Sequence, residues 1–179
     1  MPALSINDFK ARLRGGGARP SLFKVVMPFP IIAAAGNASE QLEFLCKTAA
    51  LPASTLGAII VPFRGRQLKI AGDRTYAEWA LTIINDTDFK IRNAFERWSA
   101  AINSNVANIG LENPSLYQVD AEVHQLDRNQ DVIKKYRFAG VWPSEVGQID
   151  LSYETVDAIE EYPVTIQVQY WDSIADGVL

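Results

Sequence analysis

Tyr162-Pro163-Val164-Thr165-Ile166-Gln167-Val168-Gln169-Tyr170-Trp171 decides the fold class of this 179-residue chain. Tyr162, Val164, Ile166, Val168 and Tyr170 point one way while Thr165, Gln167 and Gln169 point the other, the period of a strand with one apolar and one polar face. Upstream, Val119, Ala121 and Val123 separate in the same way from Asp120, Glu122 and His124, and Asp127 to Asp131 form a polar turn into Val132, which predicts an antiparallel hairpin. Runs of β-branched and aromatic residues bounded by Gly, Pro, Asn and Asp predict further strands at Leu22–Pro28, Gln41–Lys47, Ala58–Phe63, Gln67–Ala71, Ala77–Ile84, Tyr117–Leu126, Val132–Ala139 and Gly147–Tyr153.

Two segments depart from that period. Ile91, Phe95, Trp98 and Ile102 recur at helical spacing, so Asp88 to Asn103 reads as a helix packed over a sheet, with Asp86, Thr87 and Asp88 as N-cap candidates. Near the start, Ser5-x-x-Asp8 has capping-box form, and Ile6, Phe9 and Leu13 share a face until Gly15-Gly16-Gly17 ends the helix. Residues 1–18 therefore read as a hinged arm and 19–179 as one domain. Pro30–Ser39, Thr48–Leu56 and Asn103–Pro114 read as loops. The expected class is α+β, mainly antiparallel, a sheet curled into a barrel or sandwich with one packed helix.

Composition narrows the function classes. With 48% hydrophobic and 21% charged residues the chain has material for a core, and its single cysteine, Cys46, cannot form an intrachain disulfide. No N-terminal stretch has the pattern of a secretory signal. The longest nearly apolar run, Val25 to Ala35, carries Pro28 and Pro30 and falls short of the roughly 20 residues a spanning helix needs. The formal net charge of -4 is too acidic for a dedicated nucleic-acid binder. Its distribution is polarised: residues 1–24 hold five basic groups against Asp8, whereas residues 138–179 hold eight acids and no Lys or Arg.

Chemistry-bearing constellations are scarce. His124, the only histidine, falls on the polar side of a strand, where an exposed or interface role outweighs a catalytic one. One His and one Cys cannot furnish a usual zinc site, and Cys46 reads as inert packing. No glycine-rich stretch has the context of a phosphate loop. Asp73 and Arg74 fall in a polar turn between two strands, Ala71-Gly72-Asp73-Arg74-Thr75, and suit a turn-closing or intersubunit salt bridge better than a ligand pair. Asp120 and Glu122 share a strand face with nothing to raise a pKa, so a solvated face accounts for them better than glycosidase carboxylates. Trp79, Trp98, Trp142 and Trp171 suit a core. No catalytic, cofactor or metal site is expected, and a site-poor β domain with a mobile arm reads as an assembly subunit, whose sheet edges join copies. A monomeric small-molecule-binding barrel would share the strand pattern but bury an apolar pocket.

Arg19-Pro20-Ser21-Leu22-Phe23-Lys24-Val25, Cys46-Lys47-Thr48-Ala49-Ala50-Leu51-Pro52, Ala71-Gly72-Asp73-Arg74-Thr75-Tyr76-Ala77-Glu78-Trp79 with Ile84-Asn85-Asp86, and Gly140-Val141-Trp142-Pro143-Ser144-Glu145-Val146-Gly147, with the closing strand to Trp171, resemble successive blocks of the tail tube proteins of contractile-tailed, T4-like bacteriophages. The blocks keep their order across about 85% of the chain. Pro28–Ser39 is expanded and Asn103–Pro114 matches poorly.

The resemblance implies a non-enzymatic subunit of the virion tail, assembled in the host cytoplasm. Its copies would form hexameric rings stacked into a hollow tube inside a sheath, with baseplate, tail terminator and tape-measure proteins as partners. DNA would pass without specific binding. It also implies kinship with type VI and contractile bacteriocin tubes, which the residues do not separate from phage. Neighbouring sheets would join around the ring, and the N-terminal segment, the C-terminal region and a long loop, here Thr48–Gly57, would contribute to stacking. A lining for a polyanion should not be basic, so Asp120 and Glu122, or Thr165, Gln167 and Gln169, are expected to face the lumen. The charge polarity suggests that Lys10, Arg12, Arg14 and Arg19 dock near Asp157, Glu160 and Glu161 of an adjacent copy.

Overall fold

The period-two segments form strands that pair antiparallel throughout a computed structural model, which describes residues 5–174. In chain order the elements are α1 (Ile6–Arg12), β1 (Phe23–Val26), α2 (Ala38–Leu45), β2 (Cys46–Ala49), β3 (Ser54–Phe63), β4 (Arg66–Tyr76), β5 (Trp79–Ile84), α3 (Lys90–Ile102), β6 (Val119–Leu126), β7 (Val132–Val146), β8 (Glu161–Gln167) and β9 (Tyr170–Ile174). The main sheet runs β1-β6-β7-β8-β5-β2, with β9 also paired to β7. β3 and β4 pair only with each other among the described residues.

Strand β7 shapes the molecule. Its first part pairs with β6 and β9 and its last part with β8, so β8 and β9 follow one long strand along its length. The strand bends at Gly140, which has φ +60°, a left-handed conformation that favours glycine; a Cβ there would meet Cγ of Gln169 at 2.7 Å. The bend makes two layers, β1-β6-β7-β9 and β7-β8-β5-β2, around a shared core. Trp79 stacks on Phe138 with centroids 4.5 Å apart, among Val25, Leu81, Ile83, Val164 and Ile166. α3 adds Ile91, Phe95 and Trp98, and Phe29 meets the last two rings edge-on. Each such apolar side chain contributes about 1.5–3 kcal/mol on burial.

The structure is a sandwich rather than a closed barrel. The strand path ends at β1 and β2, and α2 packs beside them with Ala38 and Leu42 buried. Between those ends lies a groove of about 440 Å³ lined by Phe23, Ala49, Leu51, Val123 and Tyr136 among others. The interior itself is filled by aromatic side chains, unlike that of a ligand-binding barrel.

Several expectations need correction. Gln41–Lys47 is mostly helix α2, not a strand: a strand would align Leu42, Phe44 and Cys46, but Phe44 is 82% exposed while Leu42 is buried. The helical stripe of Ala38 and Leu42 prevails, so α3 is not the one packed helix. Gly147–Tyr153 is irregular: β7 ends at Val146, where its register with β8 stops at Val164, and residues 147–153 lie in no strand. Strands β2 and β3 consume most of the supposed Thr48–Leu56 loop, leaving residues 50–53. The closing strand breaks at Val168–Gln169, beside the bend at Gly140. α3 starts without a side-chain cap: Phe89 is its N-cap residue, and Asp86 instead accepts from the Thr87 backbone N–H at 2.7 Å.

Gly147 shows how closely the layers meet. Its N–H donates to the Pro163 carbonyl at 2.8 Å, and its own carbonyl accepts from the Arg92 guanidinium at 2.7 Å. A Cβ here would lie 2.5 Å from Pro163 Cγ and 2.7 Å from the Pro163 carbonyl oxygen. Gly147→Ala is therefore expected to destabilise the chain by about 1–3 kcal/mol, measured as a lower urea midpoint with unchanged m-value.

Candidate assembly surfaces

The β3–β4 ribbon has the sequence period of a half-buried sheet but, among the described residues, no core beneath it. Ile59 pairs with Ile70, Val61 with Leu68 and Phe63 with Arg66, so one face carries five large apolar side chains. Their exposures are 56% for Ile59, 40% for Val61, 66% for Phe63, 58% for Leu68 and 48% for Ile70. The ribbon turns at Arg64-Gly65, both at positive φ, as a two-residue hairpin requires. An isolated two-stranded hairpin is at best marginal in water. Its apolar face suits burial against another surface. Asp73 and Arg74 lie inside β4 rather than in a turn, and Arg74 donates to Ser54 Oγ at 2.7 Å, tying the two strands.

Among the described residues, the β1-β6-β7-β9 layer ends in strands that pair on one side only: β1 with β6, and β9 with β7. Alternation down four antiparallel strands makes β1 run opposite to β9. On the outer face, Lys24 lies across from His124, His124 from Lys135, and Lys135 from Ile174; the next row is Val26, Glu122, Arg137 and Asp172. Glu122 and His124 meet at 2.6 Å, and Arg137 donates to Asp120 at 2.6 Å. The Arg137 guanidinium, with the Gly140 N–H, holds the Asp120 carboxyl below its ordinary pKa. Stability from this pair is present above the ordinary carboxylate range and is lost as pH falls through the lowered value. Half exposure of both side chains keeps the contribution small.

Thr165 and Gln167 lie on the outer face of the other layer. Gln167 donates to Glu78 at 2.6 Å, and Ser144 Oγ donates to the Thr165 carbonyl at 3.2 Å. Gln169 sits in the break between β8 and β9, so its register with them is lost. Asp120 and Glu122 thus do not share a face with Thr165 and Gln167.

Of the charged docking residues, Lys10 and Arg12 are exposed on α1, Arg19 is exposed, and the side chain of Arg14 lies outside the described residues. The capping box of α1 forms as its sequence predicts, with Asp8 N–H donating to Ser5 Oγ at 3.2 Å. Asp157 is exposed, but Glu161 is paired with Lys47 at 2.6 Å and Glu160 accepts from Asn85. Sequence reasoning missed the ribbon face and the Lys24, Lys135 and Arg137 neighbours of Glu122 and His124. Ala58-Ile59-Ile60-Val61-Pro62-Phe63 signals an apolar strand, but not that nothing among the described residues covers it.

No group of three or more His, Cys, Asp or Glu is arranged to hold a metal among the described residues, and none of their helices is long and apolar enough to cross a membrane. Cys46 is 8% exposed, its thiol donates to the Thr48 carbonyl at 3.3 Å, and burial pushes its pKa up to about 12. Iodoacetamide labelling at pH 8 is expected to be about a hundredfold or more slower in the folded chain than in urea; comparable rates would contradict a buried thiol.

The chain matches the family described as phage tail tube protein over residues 18–173. It is 31% identical over 174 residues to the tail tube protein of Serratia phage KSP90, covering 96% of this chain and 97% of that protein. It is also 31% identical over 159 residues to tail tube protein gp19 of Enterobacteria phage T4, covering 88% and 93% respectively. Its fold is similar to a chain of the sheath-tube complex of an extracellular contractile injection system, PVC, in the extended state, with TM-score 0.63, 10% identity and coverage of 97% and 99%. A chain of the anti-feeding prophage cap gives TM-score 0.63 at 13% identity, covering 88% and 91%.

Proposed function

The chain belongs to the phage tail tube protein family, whose members are structural components of the virion tail, and from that premise we propose that its copies close into hexameric rings stacked as a passive, non-enzymatic conduit. The observation that carries the ring is the β1-β6-β7-β9 layer with a one-sided strand at each margin. Rotation about an axis brings β9 of one copy beside β1 of the next. Because those strands run oppositely within a chain, the join is antiparallel and the sheet continues without a change of pattern. Such a head-to-tail contact closes when its rotation closes.

This layer then faces the channel. Its outer surface offers Asp120, Glu122 and Asp172 against Lys24, Lys135 and Arg137, a balanced set. A lining without a basic excess limits counterion release and hence grip on a passing polyanion. Genome and tape-measure protein would pass through, the sheath would surround the tube, and baseplate and terminator would hold its ends. The ribbon's apolar face, rather than a Thr48–Gly57 loop, would be buried between copies.

Purified chain, alone and seeded with baseplates, should be followed by sedimentation velocity and negative-stain microscopy. Rings or tubes with an axial hole are expected; monomers under every condition, or particles without a hole, would overturn the proposal.

A further inference from the structure

We propose that a free copy of the chain docks on an anionic lipid bilayer through the tip of the β3–β4 ribbon, Val61 to Leu68, a role beyond the tube reading. Residues 56–72 hold Arg64, Arg66 and Lys69 and no Asp or Glu, in a chain whose formal net charge is -4. All three cations are exposed, and among the described residues no carboxylate pairs with them. Positive charge is therefore concentrated where apolar surface is also uncovered.

Apolar exposure on both faces favours a bilayer over a protein seat. Val61, Phe63 and Leu68 share one face; on the other, Ile60 lies across from Lys69 and Pro62 from Gln67, and Ile60 is 52% exposed. A flat protein surface covers one face and leaves the other in water, whereas headgroups and acyl chains close around the whole tip. Long basic side chains reach lipid phosphate from such a tip while their stems lie along apolar surface. At the turn the Arg64 guanidinium stands 5.3 Å from the centroid of the Phe63 ring, which sets an aromatic ring and a cation together at the boundary between hydrocarbon and phosphate.

Backbone hydrogen bonding limits the depth. Among the described residues β3 and β4 pair only with each other, so each keeps one unpaired edge. Unpaired N–H and C=O groups do not enter hydrocarbon, so the ribbon seats tip first at headgroup level and does not span. An insertion of about 5–10 Å takes two or three residues of each strand at about 3.3 Å apiece, here Val61 to Phe63 and Arg66 to Leu68. Residues 138–179, with eight acids and no Lys or Arg, are repelled by the same surface, which orients the ribbon toward it. A ribbon seated in lipid cannot at the same time be covered by a copy, so the lipid-bound and assembled states exclude one another.

Vesicle sedimentation, below the concentration at which copies associate, tests this on phosphatidylcholine with and without about 30% phosphatidylglycerol. The unaltered chain should bind the anionic vesicles about tenfold or more tightly than the zwitterionic ones. Arg64→Gln, Arg66→Gln and Lys69→Gln together should weaken that binding about a hundredfold, about fivefold per charge, with an unchanged circular dichroism spectrum. An environment-sensitive fluorophore on Gln67→Cys should emit at shorter wavelength with anionic vesicles, and the same label on Val106→Cys, outside the ribbon and 98% exposed, should not. Cys46 is buried and stays unlabelled. No binding to anionic vesicles, equal binding to both compositions, full binding by the triple variant, or a response at position 106 in place of 67 would each overturn the docking while leaving the tube reading intact. So would a label at position 67 that answers to unlabelled chain, or to duplex DNA, but not to vesicles.

Discussion

Ile59→Lys combined with Leu68→Lys is expected to lower tube yield about a hundredfold while moving thermal unfolding of the free chain by no more than about 2 °C. Both residues lie on the apolar face of the ribbon, diagonal to one another, at 56% and 58% exposure. Lysine there meets solvent in the free chain and breaks no contact with the core. In the tube proposed above the same face is covered, and two ammonium groups would lose hydration without carboxylates placed to receive them. Parallel sedimentation and melting runs make the comparison. Normal tubes would mean that this face stays open to solvent, and a chain unable to fold would mean that the ribbon belongs to the domain core.

Trp98→Ala should have the opposite profile, with loss of the monomer fold preceding any effect on assembly. Trp98 is fully buried, stacks near Phe95, meets Phe29 edge-on and donates its indole N–H to the Tyr117 carbonyl at 2.7 Å. Truncation leaves a cavity beneath α3 and an unpartnered carbonyl, costing about 3–5 kcal/mol of a total stability of roughly 5–15. Urea unfolding by fluorescence and circular dichroism reads the loss. A shift below about 1 kcal/mol would contradict the placement of α3 as the lid of the core.

The legible parts of the sequence were those where one segment carries its own period. Tyr162, Val164 and Ile166 are buried, and Thr165 and Gln167 turn outward, because one side of β8 faces a core along its length. Ile91, Phe95 and Trp98 are buried for the corresponding helical reason. The pattern misled at Gln41–Lys47, where Leu42 and Cys46 are buried from two different elements and mimic a strand face. It was silent wherever the answer depends on a distant neighbour. Glu122 is seen from its own strand as an acid on a polar face, but the register sets it opposite Arg137 and beside His124. Asp73 and Arg74 look like turn residues beside Gly72, but pairing with β3 carries the strand through them. The ribbon is the extreme case, since nothing among the described residues covers Ile59, Phe63 and Leu68.

A cryo-electron microscopy map of the assembled protein, resolved well enough to trace strands, tests the central claim most directly. The account predicts an axial channel, β9 of each copy hydrogen-bonded antiparallel to β1 of its neighbour, and Asp120, Glu122 and Arg137 facing the channel. A particle with no hole on its axis, or a channel lined by the Thr165 and Gln167 face with β1 and β9 unjoined, would contradict it.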